Sequence, residues 1–300
     1  MKTPILFLIF NRPEVSTRVF EEIKRARPSE LFIAADGPRE DRAGENELCR
    51  RTRAVTENID WPCKVHRKYA EKNLDKGTGR GVHQSISWFF DHVERGIILE
   101  DDCLPNPSFF PYCDELLDRY KNKKEVMMIS GNDMLLHKKI KTKSSYYFTR
   151  HCHTWGWATW RRAWKRYETD MESYPEFKKQ KKIARIFKNP KMQKHWLDVF
   201  DRLYSKRVDS WDARWVYTIF KNGGLSIAPT VNLICNIGFG NDATHTTKNS
   251  PYSERKTYSL NKIIHPKTIE ISKESERIEE KEMYPCILIR IINKLKKIFR

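Results

Sequence analysis

The chain has 300 residues, 39% of them hydrophobic and 12% aromatic, enough to bury a large core, which excludes a disordered polypeptide. No apolar run approaches the ~20 residues that cross a bilayer. The 57 Lys and Arg against 39 Asp and Glu give +18, which points to a polyanionic partner: nucleic acid, anionic lipid or a phosphorylated substrate.

Pro4 to Phe10 is a continuous apolar run closed by Asn11-Arg12-Pro13. It lacks a basic lead and a small-residue cleavage site, so it reads as a buried first strand and not a signal peptide. Pro13 then opens a helix to about Arg27, with Val15, Val19, Phe20 and Ile23 on one face. A second strand, Glu30–Ala35, stops at the turn signal Asp36-Gly37-Pro38. A charged helix follows over about 40–57, then a strand near Cys63–Tyr69 and a Gly-broken turn, Gly77 to Gly81, whose spacing fits no phosphate-binding loop. A helix over His83–Val93 leads to a strand, Gly96–Leu99, that runs straight into Glu100-Asp101-Asp102. A helix over 108–121 and a strand over Glu125–Ser130 come next, then a β-like stretch at Tyr146–Thr149 and the Trp-dense Thr154–Trp164. The segment 175–207 reads as helices broken at Pro190, and Leu225–Ala228 and Val231–Cys235 as late strands. Strand–helix alternation of this kind predicts an α/β domain with a largely parallel sheet, whose ligands gather beyond the carboxyl ends of the strands. Asp36 and Glu100–Asp102 both sit at such ends.

The charge is unevenly spread. Residues 178–207 hold eleven Lys and Arg against Asp198 and Asp201, and residues 251–300 hold twelve basic against seven acidic. After Asn249 the apolar density drops, so 250–283 reads as a linker. Residues 284–300 read as a basic amphipathic helix with Leu288, Ile291, Ile292, Leu295, Ile298 and Phe299 on one face, suited to an anionic membrane surface or to docking on its own domain. Seven scattered cysteines with no C-x-x-C fit the reduced thiols of a cytoplasm. His151-Cys152-His153 has no second ligand pair at zinc-site spacing and reads as structural.

Three acids directly after an apolar strand are expensive at a sheet's end unless a cation shares their charge, so Glu100-Asp101-Asp102 suits a divalent ion that also grips phosphate. In Trp211-Asp212-Ala213-Arg214-Trp215, large aromatics would desolvate Asp212 and lift its pKa toward that of a general base; the competing reading is a helix N-cap. The Trp cluster reads first as core, although Gly156 between two Trp allows a close backbone approach and indole faces stack on sugar rings. His245 lies in a polar loop.

In order, these blocks are a strand ending near an Arg, a strand ending in Asp-Gly, hydrophobic-Glu-Asp-Asp, the Phe109-Phe110 helix, Gly-Asn-Asp, Gly-Trp, Trp-Asp-x-x-Trp and a late His. Together they resemble the nucleotide-sugar transferases of the GT-A fold, in particular N-acetylglucosaminyltransferase I and its bacterial relatives, over roughly residues 3–247. The resemblance implies a Rossmann-like GT-A fold with 1–249 as the transferase domain; the basic helical insertion 178–207 within it has no match in that family. It implies that Asp102 binds Mn²⁺ (or Mg²⁺), Asp101 contacts ribose and Glu100 the donor sugar. Arg12 and Asp36 would lie around the base, Asp36 against uracil. Asp212 would be the catalytic base, with Trp211 against the sugar, and His245 a ligand of the metal or diphosphate. The Gly156-Trp157 loop would face the acceptor. The family's base-contacting His has no secure counterpart, with His83 nearby.

The expected activity is then a metal-dependent inverting transfer of a sugar, with N-acetylglucosamine the family default, from a UDP-sugar to a glycan or glycolipid hydroxyl. The expected place is the cytoplasm, peripheral on the inner face of an anionic membrane. The rival is a nucleic-acid-binding protein that uses its basic and aromatic surface, against which the acid triplet would repel a polyanion. A third reading is an inactive, membrane-associated binding module on the same fold.

Overall fold

The computed structural model describes residues 1–74, 80–135, 138, 140–239 and 254–283. The chain runs β1 (Ile5–Ile9), α1 (Pro13–Ala26), β2 (Glu30–Ala35), α2 (Glu45–Ala54), β3 (Lys64–Tyr69), α3 (Arg80–His92), β4 (Arg95–Glu100), β5 (Cys103–Pro105), α4 (Phe109–Arg119) and β6 (Val126–Ser130). It continues through β7 (Tyr146–Thr149), β8 (Trp157–Trp160), α5 (Arg161–Trp164), α6 (Tyr174–Lys179), α7 (Lys182–Ile186), α8 (Pro190–Tyr204), α9 (Trp211–Lys221), β9 (Leu225–Pro229), β10 (Ile234–Asn236) and α10 (Lys273–Met283).

Eight strands form one sheet in the order β3-β2-β1-β4-β8-β6-β9-β7, while β5 and β10 make a small antiparallel ribbon. β1 pairs in parallel with β2 and β4, and β2 with β3. β8 enters antiparallel between β4 and β6, β9 lies parallel beside β6, and β7 closes the edge antiparallel. This is the mostly parallel sheet flanked by helices that the alternation predicts. β5 and β8 are additions to that reading. β8 carries Trp157 and Trp160 in an aromatic stretch whose density hides its two-residue period.

Successive side chains of a strand point to opposite faces, and β1 shows the consequence. Ile5, Phe7 and Ile9 join the core under α1 and α4, while Leu6 and Leu8 join the core under α3 and α9. Both faces are covered, so the strand must be apolar throughout. A third apolar cluster holds the basic segment to the domain: Met192, Trp196 and Phe200 of α8 pack with Val216, Tyr217 and Phe220 of α9. Pro190 is the first residue of α8, and the Asn189 side chain caps it by accepting from the Lys191 amide at 3.0 Å.

The linker expected over 250–283 is corrected for its described part, 254–283. Ile271 bridges to Phe148 and the Ser272 amide bonds the Phe148 carbonyl at 3.0 Å, extending the β7 edge. Arg255 pairs with Asp133 at 3.0 Å. α10 then buries Ser275 and Glu279 completely. Its buried face is polar, which is why low apolar density misreads it as a linker. The amphipathic helix expected over 284–300, most of the Gly77–Gly81 turn and His245 lie outside the described residues. Among the described residues no helix is long and apolar enough to cross a membrane.

Candidate active site

A cleft of about 870 Å³ opens at the carboxyl ends of β1, β2, β3 and β4, where an open parallel sheet places its ligands. Of the residues singled out from sequence, Arg12, Asp36, Glu100, Asp101, Asp102, Trp211 and Asp212 all line it. Residues from 12 to 212 are thus brought to one place by the ends of β1, β2 and β4 and the first turn of α9.

The acid triplet ends β4. Arg12, from the β1–α1 turn, donates to both oxygens of Asp101 and lies 3.2 Å from Asp102 Oδ2. Burial works against the Arg12 charge, but Asp101 and Asp102 outweigh it and hold the guanidinium protonated. Burial also pushes the Asp101 carboxyl up to about 6, against the pull of Arg12 and with the Asp102 charge adding to the rise. Glu100 is raised well above the usual carboxylate range by burial, then by the charges of Asp102, Asp101 and Asp212. Crowded carboxylates with one counter-charge are the donor set that a hard divalent cation relieves, so such an ion fits here. Among the described residues no group of three His, Cys, Asp or Glu side chains is arranged to hold a metal by itself. Gly238, just after β10, abuts Asp102: a Cβ there would lie 2.1 Å from Asp102 Oδ2.

Asp36 closes β2 and is a structural tie as well as a cleft residue. It accepts from the amides of Gly37 at 2.7 Å and Leu74 at 2.8 Å, and from Asn73 Nδ2 at 3.2 Å. Arg53 of α2 reinforces the same wall, donating to the Asp36 and Ala70 carbonyls at 3.1 and 2.7 Å. The wall formed by Lys68–Leu74 carries no motif, so sequence reasoning missed it. Its only signal is Gly37, where a Cβ would meet backbone atoms of Lys72 at 2.4–2.6 Å. Gly37→Ala therefore displaces the wall. We expect a loss of about 1–3 kcal/mol, as for overpacked sites, measured by denaturant unfolding; a change within 0.5 kcal/mol would mean that the wall yields freely.

The second half of the cleft comes from 208–212 and 154–155. α9 is capped by Ser210, whose Oγ accepts from the Ala213 amide at 3.3 Å and donates to Asp212. The expectation that Trp211 and Trp215 desolvate Asp212 is corrected. One turn apart, the two indoles share the inward face and are buried, while Asp212 lies on the outward face and is exposed. The Gly156-Trp157 expectation is corrected as well. Trp157 is fully buried in β8 and stacks on Trp211 at 5.8 Å, and Gly156, at φ +60°, is pressed against Ile234. Trp155, one residue before that tight turn, lines the cleft instead, partly exposed and edge-on to Phe239 at 5.8 Å. Trp157, Trp160, Trp164 and Trp215 are all buried, which removes them as a platform for nucleic-acid bases. His83 stacks on Tyr167 at 5.8 Å and does not line the cleft, although Val82 and Gln84 beside it do.

No protein-family profile matches the chain, and no curated protein matches it in sequence. Solved structures are partly similar in fold. A UDP-glucose pyrophosphorylase complexed with UDP-glucose is 12% identical over 55% of this chain and 71% of that one, with a TM-score of 0.31. A 4-diphosphocytidyl-2C-methyl-D-erythritol synthase of Anaerococcus prevotii is 10% identical over 58% and 77%, at 0.33. Mouse xyloside xylosyltransferase 1, in its apo form, is 12% identical over 73% of this chain and 81% of that one, at 0.36.

Proposed function

We propose that the chain is a metal-dependent, inverting glycosyltransferase of the GT-A type. It would move a sugar from a UDP-sugar, with N-acetylglucosamine the first donor to try, to the hydroxyl of a glycan or glycolipid at the inner face of an anionic membrane. The observation that carries this reading is the single cleft that gathers the acid triplet, Arg12, Asp36 and Asp212 at the strand ends. Asp102 would hold a Mn²⁺ or Mg²⁺ ion, with His245 a further ligand; bound there, the ion supplies Lewis-acid neutralisation of charge on a leaving diphosphate. Arg12 sets the charge balance of Asp101 and Asp102, a different use from the base contact the resemblance implies. Asp101 and Glu100 would face the ribose and donor sugar, and Asp36 with the 68–74 wall would enclose the base. Asp212 takes the proton of the acceptor hydroxyl as it attacks the anomeric carbon, and being exposed it passes that proton to water. One such displacement inverts the configuration.

The test is a thermal-shift panel of nucleotide sugars with and without Mn²⁺, on the wild type and Asp102→Ala. A donor at a hundred times its Kd stabilises the native state by ~2.7 kcal/mol. A shift that needs both the metal and Asp102 is expected. A panel in which no nucleotide sugar moves the wild-type midpoint would overturn the reading.

A further inference from the structure

The acid floor leaves one part of the cleft's surroundings unexplained: the basic helical lobe that ends on its rim. Ten Lys and Arg of 178–207 are exposed. Lys178 and Lys206 pair with Asp201 and Asp170 at 2.6 and 3.5 Å. Lys181, Arg185, Lys188, Lys191, Lys194 and Arg207 have no ion-pair partner among the described residues. Like charges held this densely repel one another unless an anion shares them. The lobe is not loosely tethered, because α8 is fixed to α9 through the shared Trp196, Phe200 and Phe220 core. α9 begins at the cleft, and Arg207 immediately precedes Val208, which is 43% exposed and opens the cleft wall Val208–Asp212. Trp155 lines the same cleft. The chain therefore places an aromatic side chain, an exposed carboxylate and, through Arg207, the end of a cationic segment at one cleft.

Resting on the transferase reading above, we propose that the acceptor is an anionic glycan, with a sugar ring against Trp155 and a phosphate or carboxylate on Arg207 and the adjoining lobe. A neutral acceptor gains nothing from this surface. With the floor at Glu100, Asp101 and Asp102 taken by the donor diphosphate and its ion, an acceptor's anionic group is left to the rim. That places the reactive hydroxyl, not the charged group, near Asp212. Rim charges act over about a Debye length, ~8 Å at physiological salt, so recognition weakens as salt rises.

The experiment uses the full chain and a tetrasaccharide bearing one phosphomonoester, against the same tetrasaccharide after phosphatase treatment. Binding is followed by saturation-transfer NMR in the wild type, Trp155→Ala, Arg207→Glu and the milder Arg207→Gln. The phosphorylated form should bind at least about tenfold more tightly at low salt, by the charge complementarity of such surfaces. The Arg207 variants should erase that preference, and Trp155→Ala should weaken both forms alike. Equal binding of the two forms, or a preference that survives both Arg207 variants, would overturn the proposal. So would loss of sedimentation with phosphatidylglycerol vesicles alone, glycan preference intact, which would assign the lobe to a membrane. The wild-type donor panel separates the two failures: without any donor shift the transferase reading falls, while the glycan comparison still decides the subsite.

Discussion

Asp212→Asn is expected to lower turnover by ~10²–10⁴-fold, the usual contribution of a general base, while the metal-dependent donor shift persists. Among the carboxylates that line the cleft, availability singles out Asp212. Asp36 is committed to the amides of Gly37 and Leu74. Asp101 and Asp102 share Arg12, and Glu100 holds its proton more tightly than usual. Asp209 is tied to the buried Arg214. Glu71 stands on the β3 side, on the wall beyond that strand. Asp212 is exposed, held in place only by Ser210 among the described residues, and close enough to the triplet for its charge to act on Glu100. Asn keeps the shape and the Ser210 contact but cannot accept the proton. Initial rates of nucleoside-diphosphate release measure the effect. Turnover within about threefold of wild type would remove Asp212 from the role.

The residues legible in the sequence are those whose environment is set by local pattern. Buried strands covered on both faces must be continuously apolar, so β1, β2 and β4 announce themselves, and with them the strand-end positions of Asp36 and Glu100–Asp102. What depends on direction was less legible. Trp211, Asp212 and Trp215 form one block in the sequence, yet the helix turns the indoles inward and the carboxylate outward. Which Trp of the 155–157 pair reaches the cleft turns on where β8 begins, and the tight Gly156 turn decides it in favour of Trp155. The 68–74 wall is held by long-range hydrogen bonds to Asp36 and Arg53, which leave no periodic trace. α10 escaped because hydrophobic patterning cannot find a helix whose buried positions are Ser275 and Glu279.

Glu279→Ala is expected to destabilise the fold by about 3 kcal/mol or more, because it leaves three buried hydrogen-bond donors unpaired at about 1–3 kcal/mol each. The carboxylate is fully buried between α10 and β7 and accepts from three side chains: Thr149 Oγ1 at 2.6 Å, His153 Nε2 at 3.0 Å and Tyr147 at 3.1 Å. Removing it strands all three donors in a site that water does not reach, and frees α10 from the sheet edge. Burial by itself would raise the Glu279 pKa, but the His153 hydrogen bond, with the Thr149 bond adding to it, brings it below the ordinary value. The neighbouring His151 is lowered to about 4 by burial. Both folded-state values lie below the unfolded ones, so the unfolded chain binds more protons on acidification. The stability they contribute is present above pH ~6.5, declines as His151 is asked to charge between 6.5 and about 4, and falls further as Glu279 protonates. Denaturant midpoints taken across this range should slide downward for the wild type and less steeply for Glu279→Ala, which has already lost the carboxylate. A loss under about 1 kcal/mol at pH 7, the size of an ordinary exposed ion pair, would mean that α10 is held by other contacts, the Arg150–Glu276 pair and the Ile271 bridge among them.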